Sequence, residues 1–105
     1  VARRVWIDGG AGAREARRLV ERHAAHREYE VTIVADRKIT PSSEENVSVV
    51  QLEPANEAVD GFLLEHVAAG ELVITRDILL AEALLRLGGV VLNDRGEEFT
   101  EGNIA

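Results

Sequence analysis

Residues 71–92 read ELVITRDILLAEALLRLGGVVL, and this stretch decides the fold class that we predict for the chain. Leu72–Thr75 is a short apolar run of the kind that forms a buried strand. Ile78–Leu87 follows as a helical segment, and the glycine pair Gly88-Gly89 ends it. Val90–Leu92 then forms another short strand. A strand, a helix and a second strand in this order are typical of a parallel sheet with crossover helices.

The same alternation extends through the rest of the chain. We predict further strands over Arg3–Ile7, Tyr29–Ala35 and Val47–Leu52. Helical spacing of apolar residues predicts helices over about Ala13–Arg27 and Asn56–Ala68. We therefore expect an α/β protein whose central sheet of about five strands is mostly parallel and flanked by helices.

Length and composition limit the classes of protein to consider. The chain has 105 residues, of which 46% are hydrophobic and 30% charged, which fits one globular domain over residues 1–105. No apolar run approaches the roughly 18–20 residues that a membrane span needs, so we expect no membrane partner. The absence of cysteine excludes disulfides, thiol nucleophiles and thiolate metal sites. No secretory signal is visible, and a cytoplasmic bacterial protein is the default expectation.

Charge is distributed unevenly, which restricts how a nucleic acid would bind. The net charge is −7, yet residues 1–27 carry seven arginines against three acidic residues. An acidic body repels phosphate backbones, so RNA or DNA would contact the Arg-rich first helix. Alternatively, these arginines form a solvated face that pairs with Glu15 and Glu21 at helical spacing.

Acidic residues follow every predicted strand. Parallel sheets bind ligands beyond the carboxyl ends of their strands, where the strand order reverses. Carboxylates collected there repel one another unless a hard divalent cation such as Mg²⁺ or Mn²⁺ lies between them. Such a centre could activate water and stabilise a phosphodiester transition state. The alternative is that these carboxylates only cap loops and face solvent. The candidates are Asp8, Asp36, Glu53, Glu57, Asp60, Asp77 and Asp94.

A glycine-rich loop connects the first strand to the first helix. Asp8-Gly9-Gly10-Ala11-Gly12 could hold a phosphate close to its backbone, with Arg14 nearby. The spacing is not that of a dinucleotide-binding fingerprint, and the lysine of a P-loop is absent. A tight turn that needs positive φ angles explains the glycines equally well.

Residues 71–104, ELVITRDILLAEALLRLGGVVLNDRGEEFTEGNI, resemble the YaiI/YqxD-like family of uncharacterised bacterial proteins. That family reads approximately D-L-V-I-T-A-D, then a helix, then L-N-x-R-G-x-x-x-T-x-x-N-I. The first strand, VWID, also resembles the family's opening strand, with Asp8 as its aspartate. The matching positions in residues 71–104 are Thr75, Asp77, Asn93, Arg95, Gly96, Thr100, Asn103 and Ile104.

The resemblance implies a function because the family is similar to PIN-type domains, three-layer α/β folds with an acidic nuclease centre. It implies catalytic residues Asp8, Asp60 and Asp77, with Glu57 as a further ligand of Mg²⁺ or Mn²⁺. Asp8 and Asp77 would bind the metal directly from neighbouring central strands. The substrate would be RNA or DNA. The predicted phosphate-binding residues are Gly9, Gly10, Gly12, Arg14, Thr75, Asn93 and Arg95.

The chain departs from the family pattern at the first loop. Where the family reads approximately D-A-D-A-C-P, this chain has Gly10 for the second aspartate, Gly12 for the cysteine and Ala13 for the proline. Family members also generally continue beyond the position of Ala105 through a basic helical segment. The loss of one carboxylate favours an alternative, a catalytically degenerate module that binds partners or forms homo-oligomers. A third hypothesis is a binder of nucleotides or small phosphates that uses the glycine loop without a metal.

Overall fold

A six-stranded sheet forms the centre of the protein in a computed structural model that describes residues 3–10, 13–23, 26–40 and 43–104. Its strands are β1 (Arg3–Asp8), β2 (Tyr29–Ala35), β3 (Val47–Gln51), β4 (Leu72–Ile74), β5 (Val90–Leu92) and β6 (Glu98–Phe99). The helices are α1 (Ala13–Glu21), α2 (Ala58–His66) and α3 (Ile78–Arg86), with a short 3₁₀ helix at His26–Glu28.

The order of the strands places the reversal point of the sheet between β1 and β4. Across the sheet the order is β3-β2-β1-β4-β5-β6; the first five strands are parallel, and β6 is antiparallel to β5. From β1 the chain builds outward through β2 and β3, then returns to place β4 on the other side of β1. Ile7 of β1 is paired with Ile74 of β4, so the carboxyl ends of these two strands are adjacent. A ligand site is expected at this position.

Alternate residues of the strands face two different helical layers. Val5 and Ile7 belong to the buried cluster that contains the α1 residues Ala16 and Val20. Trp6, between them, is 4% exposed and packs in a second cluster with residues of α2 and α3. The sheet therefore separates α1 from α2 and α3, and this arrangement confirms the α/β class and the mostly parallel sheet.

Three details of the predicted elements were wrong. Helix α1 ends at Glu21 rather than near Arg27. A helix that continued to Arg27 would leave only Glu28 as a connection to β2, which begins at Tyr29, and one residue is too short to reverse the direction of the chain. Helix α2 begins at Ala58, so Glu57 precedes it. The sheet has a sixth strand, which the sequence reading missed because two residues are too few to show a period.

None of the helices in the described part of the chain is long and apolar enough to cross a membrane.

Candidate functional site

Thr75 hydrogen-bonds to two of the residues predicted to be catalytic, to the side chain of one and the backbone of the other. It directly follows β4, is 3% exposed, and is the only buried polar side chain among the residues that the structure describes. Its hydroxyl donates a hydrogen bond to Oδ2 of Asp8 (2.7 Å) and accepts one from the backbone N–H of Asp77 (3.0 Å). A buried hydroxyl needs such partners, so Thr75 fixes β1 and the start of α3 relative to each other.

The carboxylates of Asp8 and Asp77 each accept a hydrogen bond from a backbone N–H. Oδ1 of Asp8 accepts a hydrogen bond from the N–H of Gly10 at 3.1 Å. Asp77 is the N-cap of α3, and its Oδ1 accepts from the N–H of Leu80 at 3.1 Å. Asp is among the preferred N-cap residues because its oxygen satisfies a free N–H of the first helical turn. Asp77 therefore stabilises the start of α3, independently of any role in chemistry.

Helix α2 adds a third carboxylate, Asp60, to the same edge. The pKa of Asp60 is raised, first by burial and then by the negative charges of Asp77, Asp8 and Glu57. Both causes disfavour the charged form of a carboxyl group. The other three acidic residues that the resemblance selected therefore act electrostatically on Asp60, although the four come from three separate segments of the chain.

Glu57 occupies an unusual backbone conformation immediately before α2. Its φ is 58° and its ψ is 21°, and it is the only non-glycine residue with positive φ in the described ranges. Its exposed side chain makes no capping hydrogen bond to the helix. Residues other than glycine in the left-handed region are uncommon and are found preferentially at functional sites.

A divalent cation is compatible with this edge only if few protein ligands bind it directly. Within the described residues, no three Asp, Glu or His side chains lie close enough to hold a metal ion together. Mg²⁺ commonly uses one or two carboxylates, keeps several waters and takes further oxygens from a phosphate. Hard oxygen donors fit a cation bound in this way, and so do the neighbouring negative charges that, after burial, raise the pKa of Asp60.

The glycine loop is shaped by close packing against β2. The N–H of Gly9 donates to the carbonyl of Val34 at 2.7 Å, and a Cβ at Gly9 would lie 2.5 Å from that oxygen. Neither Gly9 nor Gly10 has a positive φ, so the turn interpretation was wrong for these two residues. Gly9 is required by lack of space. Gly12 lies outside the described residues.

Arg37, which the sequence reading did not select, secures the same loop. Its Nε donates to the carbonyl of Gly9 (3.3 Å) and its Nη2 to the carbonyl of Gly10 (3.0 Å). Arg37 lies two residues beyond β2, at the same edge of the sheet as Asp8. The signal in the sequence was its position just after a predicted strand.

The arginines of α1 and Arg22, which directly follows it, divide between two clefts. Arg14 and Arg17 line one cleft together with Arg37 and Lys38. Arg18 and Arg22 line another, which also contains carboxylates. The charged residues of that second cleft are Glu15, Arg18, Glu21, Arg22, Arg76, Asp94 and Arg95.

The two phosphate-binding candidates that follow β5 are involved in local structure. Asn93 Oδ1 accepts hydrogen bonds from the N–H groups of Arg95 (2.9 Å) and Glu97 (3.0 Å) within the β5–β6 connection. Next to it, Arg76 Nε donates to Asp94 Oδ2 at 2.8 Å, and this hydrogen bond lowers the pKa of Asp94. Asn93 and Arg95 thus belong to the β5–β6 turn, and only Arg95 lines the second cleft.

The chain is similar over nearly its whole length to members of one protein family. The family model described as "Uncharacterized BCR, YaiI/YqxD family" matches residues 6–105. A UPF0178 protein of Pseudomonas putida (strain GB-1) is 38% identical over 101 residues, which cover 96% of this chain and 67% of the relative. A UPF0178 protein of Ectopseudomonas mendocina (strain ymp) is 39% identical over 101 residues, covering 96% and 68%. A UPF0178 protein of Treponema pallidum (strain Nichols) is 36% identical over 100 residues, covering 95% and 56%. No solved structure matches the chain.

Proposed function

The chain belongs to the uncharacterised bacterial YaiI/YqxD family, and on this basis we propose that it is a PIN-like, divalent-metal-dependent nuclease that cleaves RNA or DNA phosphodiesters. The observation that carries the proposal is the position of Thr75. The buried hydroxyl connects Asp8 to the start of α3 at the point where the strand order reverses. This is where an open parallel sheet binds its ligand.

Each acidic residue has a role in the proposal that its position supports. Asp8 and Asp77 would hold a Mg²⁺ or Mn²⁺ ion, and Thr75 orients Asp8 through its hydroxyl. Asp60 and Glu57 would hold a second cation or a water molecule. When bound, such a cation stabilises the negative charge that develops on phosphate oxygens. The pKa of Asp60 is raised first by burial and then by the neighbouring carboxylates, and a nearby cation would relieve the second of these causes, which supports the assignment.

A degenerate binding or oligomerisation module is the second candidate function. Gly10 replaces the second aspartate of the family's opening loop, and a Cβ there would meet only Asp8 Oδ1, at 3.4 Å. The backbone at this position therefore still admits a Cβ, although the acidic residue is missing. Such a protein would fold normally, ignore divalent cations and self-associate.

A cleavage assay distinguishes the two functions. End-labelled single-stranded RNA and DNA are incubated with the wild type and with Asp77→Asn, in Mg²⁺, in Mn²⁺ and in EDTA. Asn is as good an N-cap as Asp, so the variant should fold while losing the charge. Glu65→Gln removes one exposed charge elsewhere, on α2, and is the matched control.

The proposal expects the wild type and Glu65→Gln to cleave only when a cation is present. In Asp77→Asn the cleavage rate should fall by at least about 100-fold, as it does when an electrostatic catalytic group is removed. Cleavage that survives in EDTA or in Asp77→Asn would contradict it. Absence of cleavage together with self-association would support the degenerate module.

A further inference from the structure

The α1 side of the sheet has a cleft whose charge is opposite to that of the protein as a whole. The cleft has a volume of about 300 Å³. Four of its lining side chains are cationic and none is acidic, in a chain of net charge −7. The cationic residues are Arg14, Arg17, Arg37 and Lys38; the others are Ala13, Ile33, Ile39 and Thr40.

No carboxylate of the described residues neutralises these four cations. The ion pairs among those residues involve Arg4, Arg76 and Arg86 instead. The guanidinium of Arg37 donates to the carbonyls of Gly9 and Gly10, which hold it in place, and it forms no ion pair with a carboxylate of the described residues. Like charges gathered in a cleft repel one another, and a bound anion would remove that repulsion.

The glycine loop connects this cleft to the acidic edge. The carbonyl of Gly10 accepts a hydrogen bond from Arg37, while the N–H of the same residue donates to Asp8. One peptide segment therefore separates a cation of the cleft from a carboxylate of the candidate site.

We propose that this cleft, formed by Arg14, Arg17, Arg37 and Lys38, binds the phosphates of a single-stranded nucleic acid and directs the strand across the Gly9–Gly10 loop to Asp8. The inference rests on the proposed nuclease function and adds the form of its substrate. A single strand fits better than a duplex because this small cleft contains no carboxylate among its lining residues, whereas the second cleft does. A duplex would spread its two backbones over the neighbouring surface, where Glu15 and Glu21 lie.

The lining of the cleft also predicts how the strand is recognised. No aromatic side chain of the described residues lines the cleft, so we expect no base stacking there of the kind seen in many single-strand binders. Binding should be insensitive to base sequence and strongly dependent on salt. For single strands, the logarithm of the affinity falls with the logarithm of the salt concentration by about 0.7 for each phosphate neutralised. Four contacts give a slope of roughly −3.

The test is fluorescence anisotropy with a labelled oligothymidylate in EDTA, which makes binding independent of any cation-dependent chemistry. Arg14→Gln/Lys38→Gln removes two exposed cations of the cleft. Arg18→Gln/Arg22→Gln removes two exposed cations of the second cleft and changes the net charge equally. Unfolding temperatures verify that both variants are folded.

The proposal expects Arg14→Gln/Lys38→Gln to bind about 25-fold more weakly at 0.1 M salt, with a salt dependence of the affinity that is shallower by about 1.4. The affinity of Arg18→Gln/Arg22→Gln should change by less than about threefold. Equal losses in the two variants would overturn it, because only net charge would then matter. Tighter binding of a duplex, or equal binding of ATP, would overturn the single-strand assignment. Binding that depends on the cleft without any cleavage would refute the nuclease alone.

Discussion

Replacing Thr75 with valine tests whether its hydroxyl organises the candidate site. Valine has nearly the same shape, so Thr75→Val creates no cavity but removes both hydrogen bonds of the hydroxyl. Asp8 loses its donor at 2.7 Å, and the N–H of Asp77 loses its acceptor at 3.0 Å. Because Thr75 is 3% exposed, water cannot readily replace the hydroxyl.

The expected cost follows from these two bonds. A hydrogen bond to a charged group contributes about 1.5–3 kcal/mol, and a donor left unsatisfied costs about 1–3 kcal/mol. Since the two effects share one site, we expect the free energy of unfolding to fall by about 2–4 kcal/mol rather than by their full sum. For a domain of this size, the corresponding fall in Tm is at least about 8 °C.

Urea denaturation of wild type, Thr75→Val and Thr75→Ser measures this cost. Serine keeps the hydroxyl and loses one methyl group, which should cost only about 1 kcal/mol. If Thr75→Val were as stable as Thr75→Ser, the hydroxyl would not be organising Asp8 and Asp77, and the reasoning would be refuted.

Three further predictions concern two glycines and the carboxylate of Asp60. Gly9→Ala should lower the free energy of unfolding by about 1–3 kcal/mol, because its Cβ would lie 2.5 Å from a carbonyl oxygen. Gly61→Ala should raise the free energy of unfolding by about 0.5–1 kcal/mol, since a Cβ at this position of α2 has nothing within 4 Å. Equal thermal shifts in Gly9→Ala and Gly61→Ala would contradict the packing argument. Asp60→Asn should stabilise the protein at pH 7 by about 1 kcal/mol or less. The raised pKa of Asp60 means that the wild type loses stability as pH rises through this pKa, so the gain should disappear in acid. Melting curves from pH 3 to 8, with Glu65→Gln as the charge control, would reject this account if the gain were independent of pH.

The sequence predicted the elements that are long enough to show a period or are bounded by clear breaks. Tyr29–Ala35 and Val90–Leu92 were placed with correct bounds because apolar runs there end in polar residues or glycine. The end of α1 was not predictable from its spacing, since the position at which β2 must start beside β1 ends that helix. The pairing of Glu98–Phe99 depends on β5, a contact that no local pattern encodes.

The acidic edge was predictable in part because the carboxyl ends of parallel strands meet. This rule, together with the family resemblance, predicted that Asp8 and Asp77 lie near each other on neighbouring central strands. Strands β1 and β4, which precede these positions, are indeed adjacent in the sheet. The cationic cleft was not predictable as a unit. Arg14 and Arg37 are 23 positions apart, and only the pairing of β1 with β2 brings their segments together.

The most direct test of the account is a thermal-shift titration with Mg²⁺ and Mn²⁺ on the wild type and on Asp77→Asn. A ligand that binds only the folded state stabilises it by about 2.7 kcal/mol at 100 times its Kd. The account predicts that Tm of the wild type rises with cation concentration and that the rise is absent in Asp77→Asn, whose helix cap remains intact. A wild-type Tm that does not respond to either cation, or an equal rise in both proteins, would contradict a metal site at this edge of the sheet.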